Sequence, residues 1–73
     1  MTPSELAALI QVLLEADDIA VDDNFFDVGG NSILALELLE AVREQCGIRI
    51  PLIDMIRAPT ASGMSALIAR ATA

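Results

Sequence analysis

Three segments of this chain carry apolar residues at intervals of three and four, and each is bounded by residues that start or stop helices. That pattern limits the chain to a helical fold. In the first segment Leu6, Leu9, Ile10, Leu13 and Leu14 form one stripe. Thr2-Pro3-Ser4-Glu5 precedes it with a hydroxyl for the N-cap, a proline at the first helical position and a glutamate able to return a bond to the cap. The spacing predicts a helix ending near Glu15. A second helix should start at Asn31 or Ser32 and stop at Gly47, since glycine suits the left-handed position beyond a helix end. Ile48-Arg49-Ile50 reads as a short extended linker, and Pro51 as the first residue of a brief third helix through about Arg57. Ala58-Pro59 then breaks the chain, and Thr60 caps a fourth helix on which Met64, Leu67, Ile68 and Ala71 share a face. Gly63 costs that helix up to ~1 kcal/mol relative to alanine. Strand-length alternation, repeats and low-complexity tracts are all missing. The predicted fold is therefore all-α: a four-helix bundle with three longer helices, one short third helix and a long loop between helices one and two.

At 73 residues the chain makes a single domain, residues 1–73, with a modest core. Hydrophobic residues make up 55%, yet Phe25 and Phe26 are the only aromatics, so aliphatic side chains must build the interior. Eleven acidic residues face four arginines, with no lysine or histidine, for a net charge of −7. Such a surface repels nucleic acid and anionic membranes and favours partners with basic patches. The lone Cys46 cannot close an internal disulfide, and no Cys or His cluster exists to hold zinc. Cys46 is expected as a small buried hydrophobe near a helix end. MTPSELAALI lacks the basic start of a signal peptide, and no apolar run is long enough to span a bilayer. The expectation is a soluble, monomeric cytoplasmic protein.

The segment ADDIAVDDNFFDVGG mixes turn formers and acids with isolated hydrophobes. Ile19, Val21 and one or both phenylalanines should dip into the core and keep this long loop ordered. Its aspartates do not fall at the spacing of a calcium loop and read as solvated surface. On the second helix Ala35, Leu38, Leu39, Val42 and Cys46 form a core face opposite Glu37, Glu40 and Glu44. Ile33 and Leu36 break this pattern by projecting among the glutamates. They are either scattered exposed hydrophobes or a docking patch beside Ser32.

Ser32 has three readings. It, or Asn31, could simply cap the helix. Catalysis would need a general base, and the usual activators are missing; GGNSI also lacks the second glycine of a nucleophile elbow. The third is covalent modification, because a helix N-terminus offers unpaired N–H groups and partial positive charge to a phosphate on that hydroxyl. Gly29 and Gly30 either form a plain turn, supply backbone angles other residues resist, or let a modifying enzyme come close.

DNFFDVGGNSILAL resembles the signature of peptidyl carrier proteins, the thiolation domains of nonribosomal peptide synthetases. The resemblance continues through GIRIPLIDMIRAPTASG and back through LAALIQVLLEADDIAV, covering nearly the whole chain. It implies that Ser32, preceded by Gly29, Gly30 and Asn31, receives 4′-phosphopantetheine from a phosphopantetheinyl transferase. The arm's thiol would then carry an aminoacyl or peptidyl thioester to adenylation, condensation, tailoring or thioesterase enzymes, with no catalysis by the carrier itself. Ile33 and Leu36, and more weakly Met55 and Ile56, are the expected partner-facing residues. The chain departs from the pattern at Ile10, often tryptophan; at Glu15 and Ala20, frequent glycines; and at Asn31, usually histidine or aspartate. Ile53, Ile56 and Arg57 likewise replace a polar residue, a phenylalanine and an acid. The chain's start and end suggest a free-standing carrier. An acyl or aryl carrier with the same serine and arm is the alternative within the class, and an unmodified acidic helical adaptor the alternative outside it.

Overall fold

Thr2 opens α1 (Pro3–Leu14) as the sequence requires: its hydroxyl accepts from the Glu5 N–H at 3.1 Å, and Glu5 Oε1 accepts from the Thr2 N–H at 2.9 Å. The bond from the Thr2 N–H foremost, and the Thr2 side chain after it, hold the Glu5 carboxyl below its ordinary value. They are seen in a computed structural model, which describes residues 1–72. The helix stops because Glu15 turns left-handed (φ 53°), where a residue with a Cβ stores on the order of 1 kcal/mol of strain.

Asn31 caps α2 (Ser32–Cys46), its Oδ1 accepting from the Leu34 N–H at 2.9 Å, and Gly47 ends it left-handed at φ 73°. The short α3 (Leu52–Arg57) begins one residue later than predicted. Pro51 has an extended ψ of 143°, and its carbonyl accepts from the Asp54 and Met55 N–H groups at 3.0 and 3.3 Å. It is thus the N-cap rather than the first helical residue. Thr60 caps α4 (Ala61–Thr72) through its hydroxyl, which accepts from the Gly63 N–H at 2.9 Å. Gly63 has a packing reason as well, since a Cβ there would lie 2.9 Å from Ala58 Cβ.

The four helices pack as the predicted all-α bundle: α1 lies against α4 and α2, and α3 bridges α2 and α4. Leu6, Ile10, Leu38, Val42, Met55, Met64 and Ile68 are buried at its centre. On α1, Leu9, Leu13 and Leu14 complete the apolar stripe half-buried, and Leu67 does the same on α4. Two core expectations fail: Cys46 is only half-buried, its thiol donating to the Val42 carbonyl at 3.1 Å, and Ala71 is exposed. Both stand in the final turn of their helix, where Cys46 packs only against the edge of the core and Ala71 lies outside it.

The loop over residues 15–31 is ordered by the hydrophobes expected to anchor it. Ile19 and Phe25 are buried, and Val21, Phe26 and Val28 are half-buried against the core. Backbone bonds stitch it to the α3–α4 turn, from the Phe25 N–H to Pro59 O at 2.7 Å and from the Ser62 N–H to Val21 O at 3.0 Å. Gln11 holds its start, accepting from the Ile19 N–H at 3.4 Å. Among the described residues no helix is long and apolar enough to cross a membrane, and no group of acidic, His or Cys side chains could hold a metal ion.

Candidate functional site

The approach to Ser32 is built from Asn24 onward. Asn24 Oδ1 accepts from the Phe26 N–H at 2.9 Å and its carbonyl from the N–H groups of Asp27 and Val28, closing a turn. Residues with short polar side chains favour such turns because they can mimic a backbone acceptor. Gly29 follows at φ +116° with open space around it, so the backbone angle is what demands glycine there. Gly30 is required for a different reason. Its N–H donates to Phe25 O at 2.9 Å, and a Cβ on it would strike the Phe25 ring and lie 2.6 Å from that carbonyl. Phe25 cannot move aside, being 1% exposed and packed edge-on against Phe26 with ring centroids 5.3 Å apart.

This geometry resolves the three readings of Ser32 in part. Asn31 is the cap, so Ser32 stands at the first helical position, exposed and released from capping duty. At that position the N–H groups of Ser32 and Ile33 have no acceptor within the helix. The first turn of α2 contains no acidic residue. A phosphate esterified to Ser32 Oγ would therefore meet free donors and the positive end of a 15-residue helix, an attraction of about 0.3–1 kcal/mol at an exposed site. The setting fits a phosphodiester. With no histidine or lysine in the chain, the hydroxyl lacks the base it would need to act as a nucleophile unaided.

Beside the serine, Ile33 is 72% and Leu36 54% exposed, and Ile56 on α3 is 48% exposed. Met55 is the correction: it is fully buried in the core and cannot face a partner. A six-residue helix shows too few turns for its buried side to be phased from spacing alone. The residue overlooked on that surface is Ile53, 53% exposed; its signal was an apolar side chain standing three before Ile56, on the same helical face.

Residues 4–68 match the family described as "Phosphopantetheine attachment site". The chain belongs to that family. It is a carrier domain for 4′-phosphopantetheine rather than a catalyst, of the type found in nonribosomal peptide synthetases. It is 36% identical over 66 residues to a dimodular nonribosomal peptide synthase of Bacillus subtilis (strain 168) and 34% identical over 67 residues to the indigoidine synthase of Dickeya dadantii (strain 3937). The alignments cover 88% and 92% of this chain but only 3% and 4% of those proteins, so the chain spans a small part of the relatives it matches. The fold superposes with a TM-score of 0.91 on a peptidyl carrier protein solved in complex with the phosphopantetheine transferase Sfp and coenzyme A, at 26% identity over 96% of this chain and 91% of that one. It also matches the solution structure of a peptidyl carrier domain of modular peptide synthetases, with a TM-score of 0.81 and 28% identity, covering 92% of this chain and 88% of that one.

Proposed function

We propose that Ser32 is the attachment residue of this carrier domain, and that residues 1–73 work as one unit presenting a thioester-bound aminoacyl or peptidyl group to successive enzymes in the cytoplasm. The observation that carries this is the division of labour at the start of α2: Asn31 takes the cap, leaving an exposed Ser32 hydroxyl at a helix N-terminus free of acidic side chains. A phosphopantetheinyl transferase would join Ser32 Oγ to the pantetheine phosphate of coenzyme A, with the nucleotide portion leaving. Bound there, the arm supplies the thiol that forms the thioester. The protein's own residues would hold its root: Gly29 and Gly30 fix the approach, Asn31 fixes the helix start, and the N–H groups of Ser32 and Ile33, which lack helical acceptors, would be available to the phosphate. Adenylation, condensation, tailoring and thioesterase enzymes are the partners that a peptidyl carrier serves.

Intact-protein mass tests this directly. Incubation with coenzyme A and a broad-specificity phosphopantetheinyl transferase should add one phosphopantetheine to the wild type and none to Ser32→Ala. Addition to Ser32→Ala would move the site elsewhere, and no addition to folded, unmodified wild type would refute the reading.

The same assay, followed by transfer, tests the surface around the serine. Ile33, Leu36, Ile53 and Ile56 expose apolar area on α2 and α3, suited to brief contacts with several partners, since small interfaces release quickly. Leu36→Asp should slow acyl loading or transfer by partner enzymes about tenfold or more, an effect of ~1.4 kcal/mol, while leaving the denaturation midpoint within error. Wild-type rates with every partner tested would show that the patch is incidental.

A further inference from the structure

Gly63 weakens α4 for a reason its own helix does not supply. It stands in the first turn, where glycine is a poor helix former, and its φ is not left-handed, so space alone demands it. A Cβ there would lie 2.9 Å from Ala58 Cβ, 3.1 Å from Ala58 O and 3.1 Å from Thr60 Oγ1. None of the three swings away freely. Both Ala58 atoms move only with a backbone whose N–H donates to the Asp54 and Met55 carbonyls at 3.1 Å each. Thr60 Oγ1 is held by the Gly63 N–H at 2.9 Å.

The residue between these two leads to the serine. Pro59 O accepts from the Phe25 N–H at 2.7 Å, the short end of the usual range, and Phe25 O accepts in turn from the Gly30 N–H at 2.9 Å. Phe25 thus joins the α3–α4 turn to the residue two before Ser32 through both sides of its own backbone. A second bond, from the Ser62 N–H to Val21 O at 3.0 Å, keeps the first turn of α4 against the same loop. Displacing the turn would lengthen the Pro59 bond or carry Phe25 with it. A ring 1% exposed has little slack to absorb such a shift, so Gly30 moves too.

Resting on Ser32 as the attachment residue, we propose that Gly63 is a positioning residue for the transfer of phosphopantetheine. By leaving room for Ala58 it seats Pro59 O where Phe25 is held, and Phe25 steadies the backbone from which the Ser32 hydroxyl projects. In the transfer the Ser32 Oγ–phosphorus bond forms as the pyrophosphate bond of coenzyme A breaks. The nucleotide leaves with the electron pair, and the hydroxyl proton passes to a base on the transferase. Attack and departure lie roughly in line, so the placement of the hydroxyl governs this step more than it governs docking of the carrier.

Gly63→Ala is compared with Gly63→Ala/Ala58→Gly, which removes the nearest obstructing carbon, and with Leu67→Ala, which truncates a half-buried side chain farther along α4. In the unmodified protein the Phe25 amide proton of Gly63→Ala should move upfield, as a lengthened hydrogen bond requires, with shifts at the Gly30 and Ser32 amides. Ala58→Gly should reverse these in part, and Leu67→Ala should not produce them. With coenzyme A and a broad-specificity phosphopantetheinyl transferase, kcat per folded molecule should fall about three- to tenfold in Gly63→Ala, since a misplacement of about 1 Å costs on the order of 10²-fold and roughly half that shift relieves the contact. KM for the carrier should stay near the wild-type value, kcat should recover in part in the double variant, and Leu67→Ala should match wild type in both. Unchanged Phe25 and Gly30 resonances in Gly63→Ala, a wild-type kcat, or an equal loss in Leu67→Ala would each overturn the positioning role with Ser32 loading intact. Wild type that gains no phosphopantetheine on Ser32 would instead refute the attachment reading, and this inference with it.

Discussion

Gly30→Ala should lower stability by about 1–3 kcal/mol, the range for forcing an extra carbon into a filled interior, and should slow modification of Ser32. The larger value is expected because the obstruction is not the end of a flexible side chain. It is the backbone carbonyl of Phe25, 2.6 Å from the new Cβ, together with a ring that is 1% exposed and itself packed on Phe26. Relief must come from moving the Gly30 backbone, and Gly30 is two residues from Ser32. In a domain of this size each kcal/mol shifts the melting midpoint by about 4–8 °C. Gly29→Ala provides the contrast, since its Cβ would meet nothing within 4 Å and its cost would come from φ +116° alone. In a Phe25→Leu background the cost of Gly30→Ala should fall, the carbonyl still opposing it, while that of Gly29→Ala stays unchanged. A wild-type midpoint and loading rate for Gly30→Ala would mean that Phe25 does not brace the attachment loop.

The two glycines show where sequence reasoning stops. Their presence before Ser32 signalled a turn and a close approach, but the approaching group turned out to be Phe25 of the same chain. That contact is set by the turn at Asn24 and by the bond from the Phe25 N–H to Pro59 O, and a pairing between residues so far apart in the chain leaves no local pattern. Features carried by local chemistry were legible: the Thr2–Glu5 capping box, Gly47 and Thr60 at helix ends, and the exposed Ile33 and Leu36 on a 15-residue helix long enough to phase. Where few residues set the phase, the reading slipped. Pro51 fits either the N-cap or the first helical turn, because its fixed φ suits both and only ψ separates them. Met55 and Ile56 are adjacent on a helix of under two turns, and only packing against α2 and α4 decides that Met55 turns inward.

Exposed apolar area on α2 and α3 must be supported by a core that gives it no help. Of the aliphatic residues on α2, Ile33 and Leu36 contribute little burial, so Ala35, Leu38, Leu39 and Val42 fasten the helix that bears Ser32. The aromatic contribution is confined to the loop, where Phe25 is buried beneath Gly30. Two jobs are thereby separated in space: aliphatic side chains hold the bundle, and the phenylalanine shapes the entry to the serine.

Leu38→Ala measures the first of these jobs. Leu38 is 0% exposed near the middle of α2, and truncating a buried leucine costs about 2–5 kcal/mol, more when the surroundings cannot close the cavity. At roughly 0.05–0.15 kcal/mol per residue, a chain this short has only about 4–11 kcal/mol in total, so one substitution removes a large fraction of it. The urea midpoint should fall sharply with little change in slope, because the surface exposed on unfolding is nearly the same. Leu36→Ala, two residues earlier and 54% exposed, should change stability by no more than about 0.5 kcal/mol. Loading of Ser32 distinguishes loss of fold from damage to the site: expressed per folded molecule, the Leu38→Ala rate should equal the wild type, because the hydroxyl and its cap lie on a different face and turn of the helix. Equal midpoints for Leu38→Ala and wild type would mean that α2 is rotated from the orientation described, and the surface assigned to partners would have to rotate with it.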